Sequence, residues 1–313
     1  MFSTDALFKE LRQRTVVVTG AGGFLGPRVV QALSCHGATI RALVSPPGHD
    51  AVALHSNRVQ NVFAEITDAA AIADLVTGAD VVVHMAGPPS VAASLERPAE
   101  YARIHTVGTA TVLDACRKTG VTRLVYISSA EVYGVPQRDV VGEDHPLQPR
   151  SPYGAAKAGA EFFVHAFAAA TEVSSVILRP FSIYGRGSHS CSVVGKVMRM
   201  ARSEDAIRLD DPRPVRDFCH VDDFADAVVR ACIVPLQGVI AINVATGTGT
   251  SIGDLAKTVI GILQRNIPVR ENPSPLRPPK TEIHRLVGDP SRASHILGWH
   301  PTLALKAGLE RSI

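Results

Sequence analysis

The chain's 313 residues, 46% of them hydrophobic, suffice for a large core in two domains or one elaborated α/β unit. Its 32 basic and 29 acidic side chains nearly balance, with no basic block and no basic–aromatic interleaving, which argues against nucleic acid as a main partner. Five scattered cysteines without a Cys-x-x-Cys pair point to a reducing compartment, and no His, Cys and carboxylate cluster has the spacing of a metal site.

Residues 1–13 mix polar and apolar types and do not read as a secretory leader. No apolar run is long enough to span a bilayer, so a soluble, cytoplasmic protein without membrane contact is expected. Thr15-Val16-Val17-Val18 is a β-branched run that reads as a buried strand. It leads into Thr19-Gly20-Ala21-Gly22-Gly23-Phe24-Leu25-Gly26 and then a helical pattern to about residue 36. Strand, glycine-rich turn and helix together make a dinucleotide-binding fingerprint. The glycines allow the tight turn and let the backbone approach a pyrophosphate at the helix N-terminus. The spacing is Gly20-x-x-Gly23-x-x-Gly26, not the commoner Gly-x-Gly-x-x-Gly.

Further β-rich segments at 38–44, 59–63, 80–84, 123–127 and 174–178 alternate with helical patterns, clearest at 69–76, 98–118 and 153–171. This alternation predicts an α/β fold, a Rossmann-type doubly wound parallel sheet with its ligand at the carboxyl ends of the strands. Residues 179–216 turn Ser-, Gly-, Arg- and Asp-rich and irregular, and 265–285 is Pro-rich and polar. Between them, 221–232 reads as helix and 241–244 as strand. The expected division is a dinucleotide-binding domain over 1–181, rejoined by 217–248, and a smaller α/β cap from 182–216 and 249–313.

Two segments carry chemistry, Ser128-Ser129 and Tyr153-Gly154-Ala155-Ala156-Lys157. Ser151 reads as an N-cap and Pro152 as the first helical position, with alanines following. Tyr153 and Lys157 then lie one turn apart on one helix face. An ammonium beside a phenol favours phenolate and lowers the tyrosine's pKa towards the working pH, which makes Tyr153 a base for a sugar or alcohol hydroxyl.

Together, Gly20-x-x-Gly23-x-x-Gly26, Ser129, Tyr153-x-x-x-Lys157 and Arg216-Asp217-Phe218 resemble the extended short-chain dehydrogenase/reductase family, and within it the nucleotide-sugar epimerases and dehydratases. His84-Met-Ala-Gly87, Ser151-Pro-Tyr-Gly154, Arg179-Pro-Phe-Ser-Ile-Tyr-Gly185, His220-Val-Asp-Asp223 and Leu297-Gly-Trp299 extend the resemblance over nearly the whole chain. It implies that the glycine turn, with Phe24 and Leu25, cradles the diphosphate of NAD. Glu65 and Ile66 would hold the adenine, Ala86 and Gly87 would line the nicotinamide ribose, and Pro180 would lie beside the cofactor. Ser129 would position the reacting hydroxyl, Tyr153 would take its proton, and Lys157 would tune Tyr153 and bind the ribose. Ser182, Arg216 and Arg277 would grip a sugar nucleotide, UDP-linked by the closest likeness. The implied reaction inverts C4 of the sugar through a transient 4-keto intermediate. The family's paired long helices also imply a homodimer, for which Val112, Phe162, Phe163 and Phe167 are suitably apolar, although the same residues would equally suit packing against the sheet.

Four departures from the family pattern stand out. Ser45 occupies the place of the acidic residue that selects NAD over NADP, and no Arg or Lys follows it, so NAD stays preferred. Glu131 lies where dehydratases and decarboxylases carry a catalytic Glu, which keeps those reactions as the alternative, but Ala130 replaces the acid between. His105 replaces an Asn that supports the site's water and backbone, and reads best as a buried, hydrogen-bonded His. Ser182 replaces an Asn that contacts the sugar diphosphate. A third reading, a non-catalytic dinucleotide sensor, would have no use for Ser129, Tyr153 and Lys157 together.

Overall fold

The computed structural model describes residues 9–46, 53–188, 192–272 and 282–313. Val16, Val17 and Val18 of β1 (Thr15–Thr19) are all fully buried, as a strand covered on both faces requires. Beside it run β2 (Thr39–Val44), β3 (Val59–Phe63), β4 (Val81–His84), β5 (Arg123–Ile127), β6 (Ser174–Pro180) and, late in the chain, β10 (Val239–Val244). They form one parallel sheet in the order β10-β6-β5-β4-β1-β2-β3. The chain direction across the sheet reverses between β1 and β4, which opens a crevice at their carboxyl ends.

Helices cover both faces. On one, α1 (Gly26–Cys35) packs its Val29 and Leu33 with residues from a later helix, Phe224 and Val228. On the other lie α2 (Ala69–Val76), capped by Asp68, then α3 (Val91–Glu96), α4 (Pro98–Tyr101) and α5 (Gly108–Thr119). The long α6 (Pro152–Ala170) follows, with Ser151 Oγ accepting from Gly154 N and Pro152 in its first turn. The expected helix over 98–118 is interrupted by a π-helical turn, Ala102–Val107. A π turn accommodates an extra residue and re-aims the side chains around it, and it carries His105 into the interior.

The remaining elements form a smaller layer. β7 (Ser182–Tyr184), β9 (Val215–His220), β11 (Gly249–Ser251) and β13 (Arg285–Leu286) make one sheet centred on β9, and β8 (Ile207–Leu209) pairs with β12 (Val269–Glu271). Around them lie α7 (Val193–Ser203), α8 (Val221–Ile233), α9 (Ile252–Ile262), α10 (Ser291–Leu297) and α11 (Leu305–Ser312). Val197 of α7, Leu255 and Val259 of α9 and Leu309 of α11 form a shared core, while α8 and α10 pack into the core of the parallel sheet. The segment read as irregular from 179 to 216 thus contains the eleven-residue α7. Its apolar Val194, Val197, Met198 and Ala201 follow helical spacing, but the intervening Gly195, Lys196 and Arg199 dilute the signal. Ala293, Leu297 and Trp299, in the stretch assigned to the cap, pack into the core of the parallel sheet instead. Trp299 is fully buried, and its indole donates to Asp223 O at 2.9 Å, so the tail clamps α8 to that core. Among the described residues no helix is long and apolar enough to cross a membrane.

Candidate active site

The glycine turn sits at the carboxyl end of β1. Gly20 has φ +71°, and a Cβ there would come within 2.9 Å of the Ala86 backbone. Gly26 is tighter, since a Cβ would lie 2.0 Å from Ala21 O. At Gly23, among the described residues beyond its chain neighbours, a Cβ would meet Gly20 O alone, at 3.5 Å, which leaves that side open for a ligand. Helix α1 begins with no side-chain cap and no acidic residue in its first turn. Its first N–H groups and positive dipole end are therefore available to an anion. An open glycine cradle and an uncapped helix N-terminus fit a dinucleotide diphosphate.

Beneath the turn lies a hydrogen-bond chain that the sequence reading does not single out. Thr19 Oγ1 is 2.7 Å from His84 Nδ1, and His84 Nε2 is 3.0 Å from Thr109 Oγ1. Thr109 in turn donates to His105 O at 2.5 Å. Because Thr109 spends its proton on that carbonyl, His84 donates from Nε2 and accepts from Thr19 at Nδ1. Burial, and then the charge of Lys157, push the His84 pKa down to about 3, so the ring is neutral. Thr19 Oγ1 also accepts from Met85 N and Ala86 N, which fixes the backbone just before Gly87. Gly87 has φ +140°, and a Cβ there would collide with the His105 ring at 2.1 Å. His105 is buried and bonds Pro88 O through Nε2 at 3.1 Å, as a buried, hydrogen-bonded His should.

Just past the end of β5, Ser129 Oγ accepts from Glu131 N at 3.2 Å, and Ser129 lies near enough to Tyr153 to draw its phenol's pKa downwards. The Tyr153 ring stands edge-on to His105, with centroids 5.4 Å apart, and to Tyr101. One turn on, Lys157 is 4% exposed and donates from Nζ to Ile127 O at 2.7 Å. The structure corrects the expected tuning of the pair. Burial pushes Tyr153 up to about 12 against the opposing pull of nearby Ser129, with the Glu131 and Tyr101 side chains adding to the rise. The Lys157 ammonium points at a carbonyl, and its own pKa is pushed down to about 7 by burial, with Glu161 opposing. Sequence spacing sets the separation of the two side chains but not where the ammonium points. When bound, an oxidised nicotinamide supplies the hydride acceptor and a positive charge that opposes the rise at Tyr153.

A stability consequence follows from Lys157. Its folded-state pKa lies below the ordinary 10.5, so the cost of burying the ammonium is fully present below about pH 7 and is relieved as pH rises towards 10.5. Lys157→Met should therefore melt above the parent at pH 6, with the gap narrowing between pH 7 and 10. Calorimetry of both proteins across that range tests this, and a constant gap would contradict it.

Comparison with known proteins identifies the framework. The sequence model of the NAD dependent epimerase/dehydratase family matches residues 16–245. The chain belongs to this family. Among its relatives, UDP-glucose 4-epimerase of Mycolicibacterium smegmatis is 31% identical over 308 residues, covering 95% of this chain and 96% of that protein. MoeE5, solved in complex with UDP-glucuronic acid and NAD, superposes with a TM-score of 0.87 at 27% identity, over 95% of this chain and 97% of that one. UDP-glucose 4-epimerase of Thermus thermophilus, solved with NAD, gives 0.85 at 26% identity and the same coverage.

Within the family framework the remaining expected residues lie as follows. Ser45 and Glu65 are exposed just beyond β2 and β3, at the carboxyl edge of the sheet. Ile66 is buried, with its side chain packed towards Gly108. Ala86 and Gly87 follow β4, and Pro180 ends β6. Phe24 and Leu25 are partly buried in the turn before α1. Glu131 is partly buried, and its charge is felt at Tyr153. Ser182 opens β7, whose neighbour β9 carries Arg216. The Arg216 guanidinium pairs with Glu282 at 2.8 Å. Arg277 lies outside the described residues.

Proposed function

We propose that the protein is an NAD-dependent UDP-sugar 4-epimerase. The observation that carries this reading is Ser129 placed beside Tyr153, with Lys157 one turn away, at the carboxyl edge of a sheet whose first turn is a glycine cradle. Support comes from UDP-glucose 4-epimerase relatives that match the chain along nearly its whole length.

In this reading Gly20, Gly23, Phe24, Leu25 and Gly26 hold the diphosphate of NAD. Glu65 and Ile66 hold the adenine, and Ala86, Gly87, Pro180, Tyr153 and Lys157 hold the nicotinamide half. Ser45 stands by the ribose, and with no cation next to it, NADP is the weaker choice. Ser129 orients the sugar's C4 hydroxyl, and Tyr153 takes its proton as C4 becomes a carbonyl. After the keto sugar turns its other face, Tyr153 returns the proton and the C4 epimer leaves. NAD supplies the hydride acceptor and donor. Ser182, Arg216 and Arg277 bind the sugar nucleotide, with the planar guanidinium groups matched to diphosphate oxygens. Ala130 leaves no acid beside Glu131 to protonate a leaving hydroxyl, which weighs against dehydration. The layer around β9 serves as the cap that reads base and sugar.

A panel of UDP-, GDP- and dTDP-sugars, including uronic acids, analysed by mass spectrometry and proton NMR, tests the assignment. Unchanged mass with an inverted C4 signal is expected. Loss of water or carbon dioxide would shift the reaction to Glu131.

We also place the protein in the cytoplasm, on its free cysteines Cys35, Cys116, Cys219 and Cys232, and propose that it works as a homodimer. Phe162 and Phe163 on α6 are 63% and 49% exposed, and Val107 nearby is 53% exposed, an apolar face that a second copy would cover. Val112, by contrast, is fully buried and Phe167 is packed against the same core, so neither serves that face. Light scattering should give twice the 33.2 kDa chain mass; a monomer at micromolar concentration would refute it.

A further inference from the structure

Below Lys157 on α6 lies a carboxylate with no role in the reaction described above. Tyr153, Lys157 and Glu161 follow one another at four-residue spacing and so share one helix face. Glu161 is fully buried, and its surroundings are built for a charge. Ser128 Oγ donates to Oε1. Arg179, itself 4% exposed on β6, forks onto the carboxylate, with Nη2 2.6 Å from Oε2 and Nε 3.1 Å from Oε1. Arg179 Nη1 reaches Tyr133 Oη at 3.0 Å, and Tyr133 donates to Asn243 on β10 at 2.6 Å. One carboxylate therefore joins α6, the end of β5 and β6.

We propose that Glu161 is a positioning residue of this site: it holds Lys157 as an ammonium and fixes the strand end that presents Ser129. This rests on the reading of Ser129, Tyr153 and Lys157 given above. Besides the Ile127 carbonyl that accepts from Nζ and the face of the Tyr126 ring, Lys157 needs an opposite charge, because its other neighbours do not favour a cation. From β4 it faces His84 and from the π turn His105, both with pKa values lowered by burial and by Lys157 itself. From β5 it faces the Tyr126 ring, 5.1 Å from Nζ, and from its own helix Tyr153, whose phenol burial keeps neutral. Arg179 grips the same carboxylate from the other strand end. Among the described residues, Glu161 is the charge that raises the lysine's proton affinity against burial. Ser128, bound to the same carboxylate, directly precedes Ser129, so the charge that serves Lys157 also anchors the strand end that carries Ser129.

The test needs no substrate. In protein labelled with 13C at lysine Cε, the Lys157 signal, assigned by its absence in Lys157→Met, is followed against pH. Glu161→Gln keeps an oxygen for Ser128 but removes the charge. It should lower the Lys157 midpoint by about one pH unit or more, the size expected for loss of a close opposite charge. Arg179→Met frees the carboxylate from its cation and should move the midpoint upwards, which keeps the proposal open to refutation where Glu161→Gln does not fold. Opposite shifts support it; an unmoved midpoint in either folded variant, or shifts in one direction, would overturn it. If the parent converts no sugar nucleotide, the proposed reaction fails while this titration still decides the role of Glu161.

Discussion

Tyr153→Phe should lower turnover by about 10²–10⁴-fold, the usual worth of a positioned general base. The change removes one oxygen and nothing else. The phenyl ring keeps its edge-on contacts with His105 and Tyr101, and α6 keeps its cap, so the fold should be untouched. Cofactor affinity should drop by no more than one hydrogen bond allows, about 10-fold. Because Tyr153 acts on the reacting hydroxyl and not on the nucleotide, KM for the sugar nucleotide should change little while kcat collapses. Steady-state kinetics beside calorimetric cofactor titration separates the two. Undiminished kcat would remove Tyr153 from the chemistry.

Gly26→Ala should cost both stability and cofactor binding. A methyl at this position would sit 2.0 Å from Ala21 O, 2.4 Å from its carbonyl carbon and 2.6 Å from its Cα. All three are backbone atoms, so β1 and α1 must separate to admit it. Overpacking of this kind costs about 1–3 kcal/mol. The larger effect falls on the ligand. Each backbone N–H lost from a charged phosphate forfeits about 1.5–3 kcal/mol, so losing even one weakens the cofactor by about 10-fold or more. Gly261→Ala is the matched control: it lies within α9 with, among the described residues, no atom within 4 Å of the new methyl outside its own helix, so it should leave cofactor affinity unchanged and raise stability by about 0.5–1 kcal/mol, as Ala does over Gly in a helix. Equal cofactor affinity in Gly26→Ala and the parent would show that the turn does not cradle the diphosphate.

Much of the scaffold could be read in advance because its signals are local. The Val16–Val18 run, the glycine turn and the Ser151-Pro152 helix start each announce themselves within a few residues, and the alternation of strand and helix dictates the parallel sheet. What stayed hidden depends on distant partners. Glu161 and Arg179 are 18 residues apart and meet only once α6 packs on β6. Arg216 and Glu282 are 66 apart and meet only in the smaller layer. The tuning of Tyr153 is beyond local reading for the same reason: four-residue spacing brings Lys157 near, but Ile127 O decides where its ammonium points. The π turn at Ala102–Val107 has no marker of its own in the sequence, although His105 in an Asn position sits at its centre. Helix α7 was obscured by composition, its polar and glycine residues diluting the apolar stripe that packs it.

The most direct test of the proposed chemistry is to incubate the purified protein with UDP-glucose deuterated at C4 and to read the products by mass spectrometry and NMR. Reversible hydride removal at C4, with Tyr153 handling only the hydroxyl proton, predicts two C4 epimers of unchanged mass, each with its deuterium still on C4. Deuterium lost to solvent, or a product lighter by a molecule of water, would contradict it.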